Sequence, residues 1–288
     1  MLDTLDPTRE VPPARDAATV LVVRDGADRL EVFCVERHAR SGFMGGALVF
    51  PGGKVDVADA DPAWRAASTG AAERGVLLAG QSGPDPLTLA VAACRELLEE
   101  AALLPVRGGS LGDDELRALR DALRSRASLP DELARRSLLL DTGALVPFGR
   151  WVTPEAESRR FDARFYVLEA PRGQAGLHDG HETTTSFWAP PDDVLERSVR
   201  GEVLLAPPTV RCLEILSGAT STGDALARAA QQSLLPICPL FVPDAEAPYL
   251  ALPGDPRHPI DERRIDGPTR FVLRDGRFVS EQPPLYAR

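Results

Sequence analysis

The sequence predicts an α/β fold, and three features carry that prediction. A pair of short apolar strands stands near the start of the chain, an acidic helix follows a glycine-rich turn, and further strands and helices come after it. The predicted order is strand, strand, turn, long helix, strand, strand, helix. With 288 residues, 43% of them hydrophobic, the chain is long enough for one large domain with additions.

The first two strands are predicted from apolar runs at residues 17–23 and 30–35. Residues 25–28, Asp-Gly-Ala-Asp, separate the two runs and are typical of a hairpin turn. Residues 1–16 are polar and contain prolines, which predicts an irregular lead-in.

A glycine turn follows a third apolar run. Residues 46–54 read Gly-Ala-Leu-Val-Phe-Pro-Gly-Gly-Lys, and glycines let backbone groups approach a metal or a phosphate closely. The loop before this turn carries basic residues that could face an anionic substrate, although a solvated basic loop fits the sequence equally well. The candidate substrate-binding residues are Arg37, Arg40, Phe43 and Gly52.

The acidic helix is predicted over residues 89–103. At 100° per residue, one face is apolar, formed by Ala90, Ala93, Cys94, Leu97, Leu98 and Ala101. Glu96, Glu99 and Glu100 then lie on the opposite face, where like charges repel by a few tenths of a kcal/mol per pair. Hard oxygen ligands on one helical turn suit Mg²⁺ or Mn²⁺. The alternative interpretation is a solvated acidic surface.

These residues resemble the Nudix box of nucleoside-diphosphate-X hydrolases. That box is Gly, five residues, Glu, seven residues, then Arg-Glu-apolar-any-Glu-Glu-any-Gly-apolar. Residues 95–103, Arg-Glu-Leu-Leu-Glu-Glu-Ala-Ala-Leu, match the second half except that Ala102 replaces the glycine. Counting from Gly53, Asp59 takes the place of the first glutamate, with Asp56 and Asp61 as alternatives. Between Asp59 and Arg95 lie 35 residues, so the box carries an insertion of roughly 28 residues.

The resemblance implies a Nudix-type α/β/α sandwich with helical insertions and a C-terminal extension, acting as a metal-dependent diphosphatase. The implied catalytic residues are Glu96, Arg95 and Glu99, with the arginine orienting a neighbouring glutamate and the general base left undecided. The implied ligands of Mg²⁺ or Mn²⁺ are Gly53, Glu96, Glu99, Glu100 and, from a later loop, Glu182. An ordinary loop acid is the alternative interpretation of Glu182.

Weaker similarities extend over residues 18–217 and point to one branch of the family. The expanded box, Trp-Val-Thr-Pro at 151–154, Arg-Phe-Asp at 160–162 and Pro-Pro-Thr at 207–209 resemble peroxisomal coenzyme A diphosphatases with a long insertion. The implied substrate is coenzyme A or acyl-coenzyme A, cleaved to 3′,5′-ADP and a 4′-phosphopantetheine product. The short coenzyme A signature fits loosely, because Gly42 stands where it has arginine and Arg37 is one position out of register.

Two alternatives therefore stay open. One is a Nudix hydrolase of ADP-ribose, NADH or other nucleotide diphosphates, and the other is a non-catalytic Nudix-fold module that binds nucleotides. Non-catalytic members usually lose part of Arg-Glu-x-x-Glu-Glu, and residues 95–100 keep all of it.

The predicted domain covers residues 17–235, with the insertion at 60–87 and a helical excursion at 110–140. Later strands are expected at 159–168 and 183–189, and helices near 190–196, 207–216 and 222–232, while residues 143–152 lead into Trp-Val-Thr-Pro at 151–154. Residues 236–288 form a proline-rich extension, expected to pack on the same domain and to end in a type I′ hairpin at 270–280.

Composition excludes several classes of function. A net charge of −10 argues against general nucleic-acid binding, and no apolar stretch approaches a membrane span. The four cysteines form no C-x-x-C pair and the start is not a secretory signal, which favours reduced thiols in a cytoplasmic protein. The expected partner is a small nucleotide diphosphate, and the oligomeric state stays open, with a homodimer among the alternatives.

Overall fold

Strands and helices alternate along the chain. The computed structural model describes residues 5–38, 45–71, 73–80, 83–180, 183–244 and 247–283. Its strands are β1 (Arg15–Asp25), β2 (Leu30–Arg37), β3 (Ala47–Val49), β4 (Gly52–Lys54), β5 (Val106–Arg107), β6 (Leu139–Leu140), β7 (Val146–Val152), β8 (Phe161–Glu169), β9 (Thr183–Ala189), β10 (Leu204–Leu205), β11 (Pro236–Ile237), β12 (Leu240–Val242), β13 (Tyr249–Ala251), β14 (Arg270–Arg274) and β15 (Arg277–Glu281). Its α-helices are α1 (Trp64–Ala67), α2 (Val76–Ala79), α3 (Pro86–Ala101), α4 (Asp113–Arg124), α5 (Leu129–Arg135), α6 (Pro191–Val199), α7 (Pro207–Ser217) and α8 (Thr222–Gln231).

A mixed sheet lies at the centre. Within the described ranges it has nine strands, in the order β10-β3-β2-β1-β8-β7-β11, with β4 beside β1 and β9 beside β2. Strand β1 pairs in parallel with β8 and antiparallel with β2 and β4. Ala18, Val20 and Val22 of β1 enter the core on one face of the sheet, while Leu21 and Val23 enter the core on the other. Successive side chains of a strand point to opposite faces, so a continuous apolar run produces a strand buried on both sides.

Helices cover both faces of this sheet. Helices α3, α4 and α5 contribute Leu97, Leu119 and Leu133 to the core on one face. On the other face, helices α6, α7 and α8 and the second sheet, ordered β12-β13-β14-β15, share a core that includes Leu213 and Phe271. The predicted α/β/α sandwich is therefore confirmed. No helix among the described residues has the length and apolar content of a membrane span.

Three predicted boundaries differ from those of the structure. The lead-in is shorter than residues 1–16, because β1 already begins at Arg15, which pairs with Phe161. The acidic helix begins at Pro86 rather than 89, where the Asp85 side chain accepts a hydrogen bond from the Leu87 N–H. It ends at Ala101 rather than 103, because Ala102 takes the left-handed conformation at φ 49°.

The insertion is folded onto the domain. It contains two short helices, α1 and α2, and it buries Trp64 and Leu78 in the same core as α3. Arg74 donates hydrogen bonds to the carbonyls of Ala230 and Gln232, at the end of α8. The buried Arg164 of β8 donates to the Leu78 carbonyl over 3.2 Å. The extra residues are thus attached to the sandwich at several points.

The C-terminal extension continues the same sheet and core. Strand β11 pairs in parallel with β7, and the later strands form the second sheet. The predicted hairpin is present as β14 and β15, with positive φ at Asp275 and Gly276, as a type I′ turn requires.

Candidate active site

The glycine turn lies directly against helix α3. Strand β4 pairs with β1, with Gly53 opposite Ala18, and this pairing carries the turn over the acidic part of the helix. A Cβ atom at position 53 would lie 2.5 Å from the Glu96 carboxylate, so any side chain at this position would displace that carboxylate. The Gly52 N–H donates a hydrogen bond of 3.0 Å to Oε2 of Glu100. The two halves of the predicted box are therefore in contact.

Arg95 forms a hydrogen-bonded centre beneath this turn. Its Nε and Nη2 donate to the two carboxylate oxygens of Asp59, over 2.8 and 3.0 Å, and Nη2 also donates to the Lys54 carbonyl over 2.8 Å. Its Nη1 donates to Glu96 over 2.9 Å and to Glu99 over 3.4 Å. Burial disfavours the guanidinium charge, but the bond to Asp59 and the neighbouring carboxylates outweigh it and raise the pKa of Arg95.

Of the three aspartates considered for the first acidic position of the box, Asp59 is the one that contacts Arg95. Its side chain is only 1% exposed and forms a bidentate pair with Arg95. The alternatives have local roles instead: Asp56 accepts from the Ala58 N–H over 3.0 Å, and Asp61 accepts from the Ala63 N–H over 2.8 Å. Although 35 residues lie between Asp59 and Arg95 in the chain, the two side chains are in direct contact.

The three glutamates differ in their surroundings. Glu100 is buried, the Glu96 side chain is 13% exposed and the Glu99 side chain is 37% exposed. Glu100 is buried because the docked glycine turn covers it, whereas the Glu99 side chain is partly open to solvent. The alternative interpretation of these residues, a solvated acidic surface, is wrong for Glu96 and Glu100, because their side chains are largely shielded from solvent.

Glu96 has an unusual proton affinity. Burial raises the pKa of its carboxyl from 4.5 to about 7, with Glu99 and Asp59 adding to the rise and Arg95 opposing it. Perturbed carboxyls of this kind are typical of groups that bind cations or exchange protons near neutral pH.

The donor set fits a hard divalent cation. Glu96, Glu99 and Glu100 present carboxylate oxygens beside the turn, where the lack of a side chain at Gly53 lets the Glu96 carboxylate approach the backbone closely. As placed, no three His, Cys, Asp or Glu side chains of the described ranges stand close enough together to hold a metal. Arg95 draws Glu96 and Glu99 toward itself, while the Gly52 N–H holds Glu100. A cation would have to compete with these bonds.

The predicted substrate-binding residues are only partly described. Arg37 ends β2 with its backbone opposite Thr183, and its buried Nε has no hydrogen-bond partner among the described residues. Gly52 lies in the turn, as expected. Arg40, Phe43 and Glu182 lie outside the described residues.

One part of the site was not found from the sequence. The segment before β9 reaches the end of α3, where the Leu177 N–H donates to the Ala101 carbonyl over 2.7 Å. Gln174 brackets Leu104, accepting from its N–H over 2.9 Å and donating to its carbonyl over 3.0 Å. These partners are about 70 residues apart in the chain, and no local pattern signals the contact.

All four cysteines lie within the described residues as free thiols, three of them buried. Burial raises the pKa of the Cys34 thiol to about 12, and that of Cys94 and Cys212 further still. These cysteines are therefore packing residues rather than nucleophiles.

Comparisons with known proteins place this geometry in context. A family model described as the NUDT19 Nudix domain matches residues 73–216, half of the chain, including α3 but starting after the glycine turn. The acyl-coenzyme A diphosphatase NUDT19 of Gallus gallus is 27% identical over 91% of this chain and 85% of its own length. The putative nudix hydrolase 7 of Caenorhabditis elegans is 24% identical over 94% of this chain and 83% of its own length. The crystal structure of a NUDIX hydrolase from Alicyclobacillus acidocaldarius is 30% identical, with a TM-score of 0.62 over 76% of this chain and 97% of that chain.

Proposed function

This chain belongs to the Nudix hydrolase family, and from that premise we propose that it hydrolyses the diphosphate of coenzyme A or acyl-coenzyme A with Mg²⁺ or Mn²⁺. The observation that carries the proposal is the contact between the Gly52-Gly53 turn and the glutamates of α3, around Arg95 and Asp59. The coenzyme A class is supported by the names of relatives that match most of the chain.

The glutamates and the turn would hold the cation. Glu96, Glu99 and Glu100, with the Gly53 carbonyl, supply hard oxygen ligands, and Glu182 is a further candidate. When bound, a divalent ion neutralises phosphate charge and lowers the pKa of a coordinated water. Arg95 orients Glu96 and Glu99 through its hydrogen bonds, and Asp59 in turn fixes the guanidinium.

The reaction requires a base and a nucleophilic water. Water attacks one phosphorus of the diphosphate, the bridging P–O bond breaks, and a site carboxylate accepts the proton. Glu96 is the described carboxylate with a pKa near neutrality, which suits general-base catalysis as well as metal binding. With coenzyme A, the products are 3′,5′-ADP and 4′-phosphopantetheine.

A hydrolysis panel tests the function. Coenzyme A, an acyl-coenzyme A, ADP-ribose, NADH and a dinucleoside polyphosphate are incubated with Mg²⁺ or Mn²⁺, and the products are separated by chromatography. We expect the coenzyme A compounds to have the highest kcat/KM and chelation to abolish turnover. A tenfold preference for ADP-ribose or NADH would overturn the substrate assignment, and turnover that survives full chelation would overturn the metal requirement.

Metal binding is tested separately from substrate. A ligand that binds only the folded state stabilises it by roughly 2.7 kcal/mol at a hundredfold excess over Kd, which is several degrees of Tm. Millimolar Mn²⁺ should raise Tm, NaCl of equal ionic strength should not, and Glu99→Gln should reduce the shift. Glu196→Gln is the matched control, because Glu196 also pairs with an arginine four residues away, on the exposed surface of α6. Equal responses of wild type and Glu99→Gln would remove Glu99 from the ligand set.

Three further expectations are kept as part of the proposal. A role for Arg37, Arg40 and Phe43 in binding the substrate is supported by their position in the chain before the glycine turn. The cytoplasmic location is supported by reduced cysteines. The third expectation is a possible homodimer, which a measurement of the protein's mass in solution tests.

A further inference from the structure

Arg164 of β8 is a buried charge that joins the insertion to the central sheet. Its side chain is 0% exposed and lies on the same face of β8 as Tyr166, which packs in the core shared with α3. Its Nε donates to the carbonyl of Leu78 in α2 over 3.2 Å, and its Nη1 donates to the carboxylate of Asp16 in β1 over 2.5 Å. One guanidinium is therefore bonded both to the insertion and to the first strand of the sheet.

Asp16 also holds the chain where it leaves the glycine turn. The Asp16 carbonyl accepts a hydrogen bond from the Val55 N–H over 3.0 Å, directly beyond the pairing of Ala17 with Lys54. After Val55 the chain continues to Asp59, the partner of the site arginine. The side chain of Asp16 thus faces Arg164, while its backbone fixes the segment that connects the two parts of the site.

This segment is bonded to the glutamate helix. The Lys54 carbonyl accepts from Nη2 of Arg95 over 2.8 Å, and Nη1 of Arg95 donates to the Glu96 carboxylate over 2.9 Å. Hydrogen bonds and short backbone segments therefore connect Arg164 continuously to Glu96.

Stability alone does not account for Arg164. Burial of a charge is costly, and Nη2 of Arg164 has no hydrogen-bond partner among the described residues. The second carboxylate near it, that of Asp162 at 3.3 Å, is already held by Arg150 through hydrogen bonds of 2.9 and 2.6 Å. An apolar side chain of similar length would extend the buried face of β8, but it could not bond to Asp16 and Leu78 together.

We propose that Arg164 is a positioning residue of the diphosphatase, which ties the insertion to Asp16 and thereby fixes the segment from the glycine turn to Asp59 beside the glutamates of α3. The proposal rests on the proposed function. Groups bonded directly to a metal ligand typically contribute about 10- to 100-fold to metal affinity or activity. Arg164 acts from further away, so its expected contribution is smaller, about 3- to 10-fold.

Hydrogen exchange of the metal-free protein in EDTA tests the contact directly. The probe is the Val55 amide, which donates to Asp16, and the reference is the Ala170 amide, which donates to the carbonyl of Val23 near the other end of β1 over 2.8 Å. The ratio of the two exchange rates separates a local change at Asp16 from a general loss of stability, which would accelerate both amides.

The variants are Arg164→Met, Arg164→Lys and Arg150→Met, each in the full chain. Arg150→Met is the matched control, because Arg150 lies in the same cluster but directs its hydrogen bonds to Asp162. In Arg164→Met the Val55 amide should exchange about tenfold faster relative to Ala170. Arg164→Lys should recover part of the loss, because an ammonium can still donate to Asp16, and Arg150→Met should leave the ratio unchanged. An unchanged ratio in Arg164→Met, or equal acceleration of both amides, would overturn the proposal.

Mn²⁺ affinity and kinetics test the consequence at the site. Affinity is read from the dependence of Tm on Mn²⁺ concentration, which needs no substrate. Arg164→Met should bind Mn²⁺ about 3- to 10-fold more weakly and lower kcat with little change in KM, whereas Arg150→Met should lower Tm and keep wild-type affinity. Wild-type affinity in Arg164→Met, or an equal loss in Arg150→Met, would contradict the proposal. Failure of the proposed function would instead appear as absent hydrolysis in wild type.

Asp16→Asn tests the same link from its other end and serves if Arg164→Met does not fold. The Asp16 side chain is 38% exposed, so its amide stays partly solvated and the variant is a mild one. It should accelerate exchange at Val55 relative to Ala170 and weaken Mn²⁺ binding. Adding Arg164→Lys to Asp16→Asn should cause little further loss, because both changes break one link. Losses that multiply in this double variant would show that Arg164 does not act through Asp16 and would refute the proposal.

Discussion

Glu96 should make the metal-free protein less stable as the pH rises. Its pKa is about 7 in the folded protein, against 4.5 for an ordinary glutamate, because burial disfavours the carboxylate. Between pH 4.5 and 7 the folded state keeps a proton that the unfolded state has lost, so stability falls with rising pH. At 1.36 kcal/mol per pKa unit, the full difference is about 3 kcal/mol above pH 7.

Glu96→Gln isolates this effect. The amide is uncharged at every pH, so the variant should match wild type near pH 4.5 and exceed its free energy of unfolding by about 3 kcal/mol near pH 8. For a domain of this size the difference corresponds to roughly 6–12 °C in Tm. The assay is denaturant unfolding in EDTA across pH 4.5–8.5, with the more exposed Glu99 substituted by glutamine as the control.

Mn²⁺ should reverse the order of stability. A bound cation favours the carboxylate, so wild type should lose its pH slope and gain stability, while Glu96→Gln gains little. A difference between wild type and Glu96→Gln that stays constant from pH 4.5 to 8.5 would refute the reasoning, because it would mean that the buried carboxyl does not titrate in this range.

Two further substitutions test the contacts that join the two halves of the Nudix box. Asp59→Asn should cost about 1.5–3 kcal/mol of unfolding free energy, measured by denaturant titration, because it removes the charge of the carboxylate that Arg95 holds by two hydrogen bonds, while Glu96 and Glu99 stay beside the guanidinium; a loss below 1 kcal/mol would show that the pair is not structural. Gly53→Ala should abolish the Mn²⁺-dependent rise in Tm, because the new methyl group meets the Glu96 carboxylate at 2.5 Å. Gly75→Ala, whose Cβ would have no neighbour closer than 3.8 Å, should leave that rise unchanged.

Local chemistry accounts for what the sequence predicted well. Asp275-Gly276 favours positive φ at two successive residues, so the last hairpin is predictable from the dipeptide. Helix α7 begins at Pro207, and α8 follows Ser221, whose hydroxyl accepts from the Asp224 N–H. Each of these signals lies within a few residues of the structure that it specifies.

Distant contacts account for what the sequence did not predict. The burial of Glu100 depends on β4 docking over α3, and the two partners are 48 residues apart. The sequence could not distinguish between three aspartates that are chemically alike and close together, Asp56, Asp59 and Asp61. Only the contact with Arg95, which lies 36 residues after Asp59, shows which of them enters the site. The hydrogen bond from Arg120 to the Leu177 carbonyl spans 57 residues and has no periodic signature in the sequence.

The long insertion is compatible with an intact box because the energetic cost of a longer loop is small. Extending the connection from seven residues to 35 raises the loop-closure cost by about 1.4 kcal/mol, since that cost grows with the logarithm of length. The bidentate pair of Asp59 and Arg95 closes the base of this loop. Burial of Leu78 and the bonds from Arg74 to the end of α8 attach its far part. Anchoring at both ends therefore leaves the glycine turn and the glutamate helix in the contact that a short box would produce.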